Sequence, residues 1–403
     1  MQRRVLILVE NLPSPFDRRV WQEATTLRDA GYTVSIICPT GKGYEKRRET
    51  IDGIDIWRYR LPTEGQGAFG YAVEYSAALL QTFYLSWKVL FARGFDAIHA
   101  CNPPDLFFLI GGFYKPFGKK FVFDHHDANP ELYEAKFGRR GAMWKALRWL
   151  ERMTFRFADI SIATNESYRR IAVTRGGMAP ERVFVVRSGP SLERMRIMPP
   201  DDKLKKGARY LVGYVGVMGR QEGIDYLLHA AAHIVHGLKR RDVHFALVGG
   251  GTSLEELRTL AARLKLADYV TFTGRVPDDE MLAVLNTAEV CVNPDVANAM
   301  NDISTMNKVM EYMALGKPMV QFDLAEGRFS AREASLYARR NDARDFGDRI
   351  VELLDDPQRR RLMGAYGRRR VESELEWRHE APKLLAAYEM LWASGTARER
   401  PAT

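Results

Sequence analysis

Residues 301–318 read Asn-Asp-Ile-Ser-Thr-Met-Asn-Lys-Val-Met-Glu-Tyr-Met-Ala-Leu-Gly-Lys-Pro. The stretch opens as a polar, hydroxyl-rich loop, continues as a helix-compatible run, and is stopped by Gly316 and Pro318. An apolar, strand-like run at 319–322 follows at once. A loop feeding a helix N-terminus presents free backbone N–H groups and the positive end of the helix dipole, and both suit a diphosphate. Ser304, Thr305 and Asn307 add side-chain donors, Lys308 a mobile cation, and Glu311 an acceptor suited to sugar hydroxyls. A capped helix packed on a strand accounts for Met310, Met313 and Ala314, but not for the polar cluster before them. The combination describes a pocket for a nucleotide sugar.

The alternation continues outward from this stretch. Strand-like runs at 211–215, 244–248, 269–273, 290–293, 319–322 and 335–337 make one series. An earlier series occupies 5–9, 33–38, 54–59, 97–100, 121–123, 160–163 and 183–186, with a helix at 18–30 ended by Gly31. Short β-rich runs separated by helical stretches imply parallel βαβ units. A polar, Pro-containing bridge at 198–203 separates the two series. The expected fold is therefore α/β, with two Rossmann-like domains over 1–197 and 198–376. They would face each other across a cleft at the carboxyl ends of both sheets, where open α/β sheets bind ligands.

Composition sets the outer bounds. The chain has 403 residues, 46% hydrophobic and 28% charged, as expected of two globular domains with their own cores. Cys38, Cys101 and Cys291 lie far apart, which points to a reducing compartment without disulfides or a Cys-based metal site. Met1-Gln2-Arg3-Arg4 leads directly into the first apolar run, which is too short for a signal peptide, and no run approaches the about 18 apolar residues of a spanning helix. A cytoplasmic protein is expected. Through Pro200 there are 30 Lys/Arg against 21 Asp/Glu, so the whole surplus of +9 sits in the N-terminal half. Such a half suits an anionic surface. No zinc spacing or nucleic-acid signature appears, so a membrane is the expected partner rather than nucleic acid.

Residues 304–318 also resemble the donor-site signature of family 4 glycosyltransferases with the GT-B fold, in the variant form S-T-x-N-K-x-x-E-Y-M-A-x-G-K-P. The resemblance extends over most of the second half. Residues 215–223 (Val-Gly-Val-Met-Gly-Arg-Gln-Glu-Gly) and 247–251 (Leu-Val-Gly-Gly-Gly) end strands with glycines at Gly216, Gly249 and Gly250. Glycines there let the backbone approach a ligand. The segment 273–277 carries Val276, and the resemblance implies that it contacts the nucleotide base through its main chain. There are two departures. The Arg and Lys usual in the first Gly-rich segment are replaced by Val217 and Glu222, so Arg220 and Lys308 are the expected diphosphate cations. The usual E-x7-E pair keeps Glu311 but has Ile303 at its first position, with Asp302 beside it as the expected contact to the donor sugar. The resemblance further implies that the last segment, 377–403, is a helix crossing back to the first domain, plus a polar tail.

In the first half, residues 121–131 (Phe-Val-Phe-Asp-His-His-Asp-Ala-Asn-Pro-Glu) run off a strand end. The resemblance places a His there near the donor sugar, and His126 is expected over His125, with Asp127 fixing its tautomer or a loop. A zinc site built on His125 and His126 lacks helical i, i+4 spacing and is not expected. Asn11 and Arg18, in the loop after the first strand, are expected on the acceptor side, and Asn102-Pro103-Pro104-Asp105 could border the same cleft. Two segments suggest an interfacial surface. One is the aromatic run 69–91; the other is 139–156, with Lys145, Arg148, Arg152 and Arg156 on one helical face and Trp149 elsewhere around it.

What the resemblance implies is a retaining, metal-independent hexosyltransferase-type enzyme without cofactor. It would move sugar from a UDP-linked donor to a lipid-linked or polysaccharide acceptor in bacterial-type cell-surface glycan assembly, as a peripheral protein of the cytoplasmic membrane face. Val217 and Glu222 leave an alternative open: a non-catalytic homologue that binds sugar nucleotide or glycan as a regulator.

Overall fold

The computed structural model describes residues 2–61 and 67–396, so the expected polar tail lies, from 397 onward, outside the described residues. The chain divides into two compact units, one of residues up to Ser188 with those from Glu380 on, the other of Gly189–His379. Residues 189–197 belong with the second unit because Leu192, Met195 and Met198 pack into its core.

In the first unit, β1 (Arg4–Leu8), β2 (Thr33–Pro39), β3 (Arg48–Ile51), β4 (Ile54–Tyr59), β5 (Ala97–Cys101), β6 (Lys120–His125), β7 (Ile160–Ala163) and β8 (Val183–Val185) form one sheet in the order β3-β4-β2-β1-β5-β6-β7-β8. Nearly unbroken apolar runs such as Val5-Leu6-Ile7-Leu8 suit strands covered on both faces. All neighbours are parallel except β3 and β4, which pair antiparallel through a turn at Asp52-Gly53 with φ of 49° and 78°. That edge strand was not expected. Asp17 caps the helix Arg18–Asp29 by accepting from the Val20 N–H at 3.1 Å. The helix Trp377–Thr396, from Glu380 on, supplies the rest of this unit: Glu380 accepts from the Arg187 N–H, Tyr388 meets His99, and Trp392 donates to Tyr32.

In the second unit, β9 (Tyr210–Val215), β10 (Val243–Val248), β11 (Val270–Gly274), β12 (Val290–Asn293), β13 (Met319–Phe322) and β14 (Ser335–Ala338) lie in the order β11-β10-β9-β12-β13-β14, all parallel. Alternate strand residues fill two separate cores. Val212, Phe245 and Val292 face one, while Leu211, Ala246 and Cys291 face the other. Both faces are therefore covered, as in a doubly wound sheet.

In each sheet the winding reverses once, between β1 and β5 and between β9 and β12. The carboxyl ends of these strands are where such sheets bind ligands. The expected loop at the start of 301–318 is shorter than the sequence suggests. Residues up to Ile303 complete a short helix, Ala299–Ile303, capped by the Asn298 side chain, and only 304–306 remain as loop before the helix Asn307–Ala314. Among the described residues, no helix is long and apolar enough to cross a membrane.

Candidate functional site

In the second unit the functional side chains gather where β9 and β12 part. Lys308, in the first turn of Asn307–Ala314, is buried and points back to these strand ends. Its Nζ donates to Glu222 Oε2 at 2.7 Å and Asp295 Oδ1 at 3.0 Å, and lies 5.1 Å from the Tyr214 ring centroid. Its aliphatic stem runs beside Gly216. Burial acts to strip the Lys308 proton, but Asp295, Tyr214 and Glu222 outweigh it and hold the ammonium well above the usual lysine range. Burial pushes Asp295 up to about 7 against the pull of Lys308. Glu222 is half-buried, and Lys308 holds it below the usual carboxylate range. Glu222 thus partners the cation that comes from the later helix. The pairing with Asp295 needed the fold, because nothing in the sequence ties Pro294-Asp295 to Lys308.

The glycine loops lock onto one another. The Gly216 N–H donates to Val248 O, Gly249 N–H to Gly274 O, and Met218 N–H to Gly250 O, at 3.0, 2.9 and 3.1 Å. The amides of Gly216 and Gly249 are therefore committed within the protein. Gly249 has φ +132°, and a Cβ there would overlap the Gly216 carbonyl. The glycines bring three strand ends together, and Val276 packs against the neighbouring core. Asn301 donates to Gln221 O and Val296 O, stitching 216–223 to the segment after β12.

The remaining donor-side expectations fare unevenly. Glu311 Oε1 accepts from Arg194 at 2.8 Å, and Arg194 also grips Asp278. Arg194 was missed because it precedes the second series of strands. Ser304 Oγ donates to Met300 O, closing the short helix; Thr305 is half-buried and Asn307 exposed at the helix start. Arg220 is 86% exposed and pairs with Glu256 at 3.7 Å. Asp302 is turned elsewhere as well: it accepts from the Ala325 N–H and from Arg340, capping a helix and pairing a surface cation.

In the first unit, β5 and β6 end in a polar cluster. His126 follows β6, and its Nε2 receives the Arg19 Nε–H at 2.9 Å while also lying against Asp124 Oδ2. Unprotonated it accepts from Arg19; protonated it donates to Asp124. Asp124 is buried, but Arg19 and His126 hold it well below the usual carboxylate range. The partner of the His126 ring is therefore Asp124 rather than Asp127, whose N–H instead joins that of His126 on Asn102 Oδ1. Asn102 also donates to Asp105 and to Asp127 O, so the Asn-Pro-Pro-Asp segment fixes the His126 loop. His125 is core: it is buried among Phe123, Phe155 and Tyr168, and burial lowers it to about 3. Arg18 and Asn11 are exposed, whereas Arg19, one position on, faces inward. Sequence spacing could not choose between adjacent arginines.

This unit also carries an apolar, basic surface. Phe91, Trp87, Phe113 and Phe117 form a chain of neighbouring rings on the helix Gly67–Ala92, the helix Phe108–Tyr114 and the turn that follows it. Phe91 and Phe117 are 80% and 65% exposed. On the helix Ala142–Phe157, Trp149 is exposed along with Lys145, Arg152 and Arg156, while Arg148 is half-buried with its guanidinium over Trp144. The helical face therefore differs from expectation, with Trp149 in place of Arg148 among the exposed cations.

Two family models match the chain: "Glycosyltransferase Family 4" over residues 17–194 and "Glycosyl transferases group 1" over 209–356. The alpha-maltose-1-phosphate synthase of Mycolicibacterium smegmatis is 27% identical over 301 residues, covering 68% of this chain and 73% of its own. The sucrose-phosphate synthase of Thermosynechococcus elongatus superposes with a TM-score of 0.78 at 19% identity, over 98% of this chain and 100% of that one. Anabaena HepE, solved with UDP and glucose, gives 0.73 at 15% identity, over 96% and 100%. The two family matches, one over each series of strands, and the shared fold make this chain a GT-B glycosyltransferase of family 4.

Proposed function

We propose that the protein is a retaining transferase that moves a hexose from a UDP-sugar to a lipid-linked or polysaccharide acceptor in bacterial-type cell-surface glycan assembly. The observation that carries the donor reading is the buried Lys308 ammonium at the parting of β9 and β12, beside the Gly216 loop. A cation held there by two carboxylates is placed to take the charge that develops on a departing diphosphate. The start of the helix Asn307–Ala314 adds N–H donors, with Ser304, Thr305 and Asn307 around it. Glu311, oriented by Arg194, is suited to ribose hydroxyls. HepE, named with UDP and glucose, supports a uridine nucleotide.

Those placements support a retaining course of the kind the family resemblance implies. The sugar–phosphate bond loosens first, Lys308 and helix N–H groups stabilise the leaving oxygen, and the acceptor hydroxyl enters on the same face. With these groups on the leaving group, no divalent cation is needed there. His126, poised between Arg19 and Asp124, is the group suited to bonding the sugar or the attacking hydroxyl. The exposed aromatic and basic surface of the first unit supports an acceptor reached at the cytoplasmic membrane face.

The test is nucleotide release from UDP-, GDP- and ADP-sugars, with and without membrane lipid extract, in EDTA. Lipid-dependent release of UDP from one donor is the expected outcome. Donor binding without release across a broad acceptor panel would turn the reading to a non-catalytic sugar-nucleotide binder. Strict dependence on an added divalent ion would overturn the Lys308 role.

A further inference from the structure

Four chemically diverse side chains meet beneath the switch point of the first sheet. Glu23 on Arg18–Asp29, His99 and Cys101 on β5, and Asp124 on β6 each offer a ligand atom, and these atoms all lie within 4.8 Å of one another. All four residues are buried. Nε2 of His99 and Oε2 of Glu23 make no hydrogen bond, while Glu23 Oε1 is ion-paired with Arg19 at 3.0 Å. Buried polar atoms are rarely left so, because each has given up water without replacement.

We propose that Glu23, His99, Cys101 and Asp124 form a closed site for one zinc-class divalent ion. His99 Nε2 stands 3.5 Å from Glu23 Oε2 and 3.4 Å from Asp124 Oδ2, and Cys101 Sγ stands 3.9 Å from Asp124 Oδ2. Those separations approach the edges of a tetrahedron around an ion bound at about 2.0–2.3 Å. A set mixing imidazole, thiolate and carboxylate selects zinc over magnesium or calcium. Arg19 holds mainly the outer oxygens, reaching Asp124 Oδ2 only through Nε at 3.4 Å, and His126 shares that oxygen. The terminal nitrogen of Arg19 takes Glu23 Oε1 at 3.0 Å and Asp124 Oδ1 at 2.9 Å, while Oε2 and Oδ2 are the oxygens nearest His99. One dication together with the Arg19 guanidinium balances a thiolate and two carboxylates. The Tyr388 hydroxyl lies 2.9 Å from His99 Nδ1; as its acceptor, it fixes the tautomer that leaves the Nε2 lone pair for the ion.

With four protein ligands and no open position, the ion is structural. It ties the helix Arg18–Asp29 to β5 and β6 and steadies Asp124 against His126. It takes no part as a Lewis acid in the transfer, so the reaction in EDTA remains a separate question.

The full chain, produced with added zinc and passed through metal-free gel filtration, should retain about one zinc per molecule. Produced with cobalt instead, it should show a thiolate-to-cobalt charge-transfer band in the near ultraviolet. Cys101→Ser should abolish that band, and Tyr388→Phe should weaken zinc affinity about 10–100-fold. A chain that keeps no zinc, or that keeps as much after Cys101→Ser as before, overturns the proposal in favour of an Arg19-centred ion cluster. Should Cys101→Ser not fold, the cobalt spectrum of the unaltered chain decides: the thiolate band supports the site and its absence overturns it.

Discussion

Lys308 is held between the buried Asp295 and the half-buried Glu222, so removing it alone would leave both uncompensated, a change worth several kcal/mol of stability. The informative variant is therefore the pair Lys308→Met with Glu222→Gln, which removes one charge of each sign. With the fold kept, turnover should fall about 10²–10³-fold, as when a leaving-group donor is lost. Near-normal kcat in that pair would end the role proposed for Lys308. Glu10, at the end of the first strand, offers a separate test. It is buried, and burial, then Glu74, pushes its carboxyl up to about 8 from 4.5. Between those pH values the unfolded chain has released a proton that the folded chain keeps. Stability should therefore fall as pH rises from about 4.5 to 8, by an amount on the order of a few kcal/mol. Urea denaturation of Glu10→Gln at pH 5 and pH 8 should show that slope flattened; an unchanged slope would assign it to other groups.

Among the elements, the strand-end loops of the second unit are the most exacting. Gly249→Ala combines a backbone conformation that suits glycine with overlap on the Gly216 carbonyl. It should cost about 1–3 kcal/mol and weaken UDP binding, measured by thermal unfolding and calorimetry. Unchanged melting and binding would mean that the loops do not require this close approach. How much of each element was legible follows from similar detail. The long strands were readable because apolar runs of strand length between helical stretches have few other uses. The β3–β4 hairpin was overlooked although Asp52-Gly53 carries the turn signal for it. The short helix Ala299–Ile303 escaped because its composition is that of a loop and its cap comes from Asn298. On Ala142–Phe157, composition gave a basic helix, but neighbouring elements decided that Trp149 rather than Arg148 joins the exposed face.

Over the whole molecule, large apolar side chains are exposed unevenly. Among the described residues, ten of the sixteen exposed ones fall between Val73 and Trp149, in the half that also holds the net positive charge. Vesicle flotation should show binding to anionic rather than zwitterionic bilayers, weakening as salt rises. Replacing Lys145, Arg152 and Arg156 together by Gln should remove about 3 kcal/mol of that attraction, roughly 100-fold in partitioning, at about 1 kcal/mol per charge. Trp149→Ser should weaken binding with no change in its salt dependence. A protein indifferent to anionic vesicles would have a merely solvated face there, and the lipid-linked acceptor would lose its physical support.

The two series of βα units, the donor-site signature and the polar group at the end of β6 are legible from the order of residues alone. Periodicity and local turn chemistry act over a few residues, and those features are local. Tertiary structure decided which neighbours do the work: Arg19 rather than Arg18, Asp124 rather than Asp127, and Asp295 joined to Lys308. It also turned Asp302 toward Arg340 and Arg220 toward Glu256. Each of these choices depends on which way a side chain leaves its helix or strand and on what the sheet order brings beside it. Neither is written in the spacing of the chain.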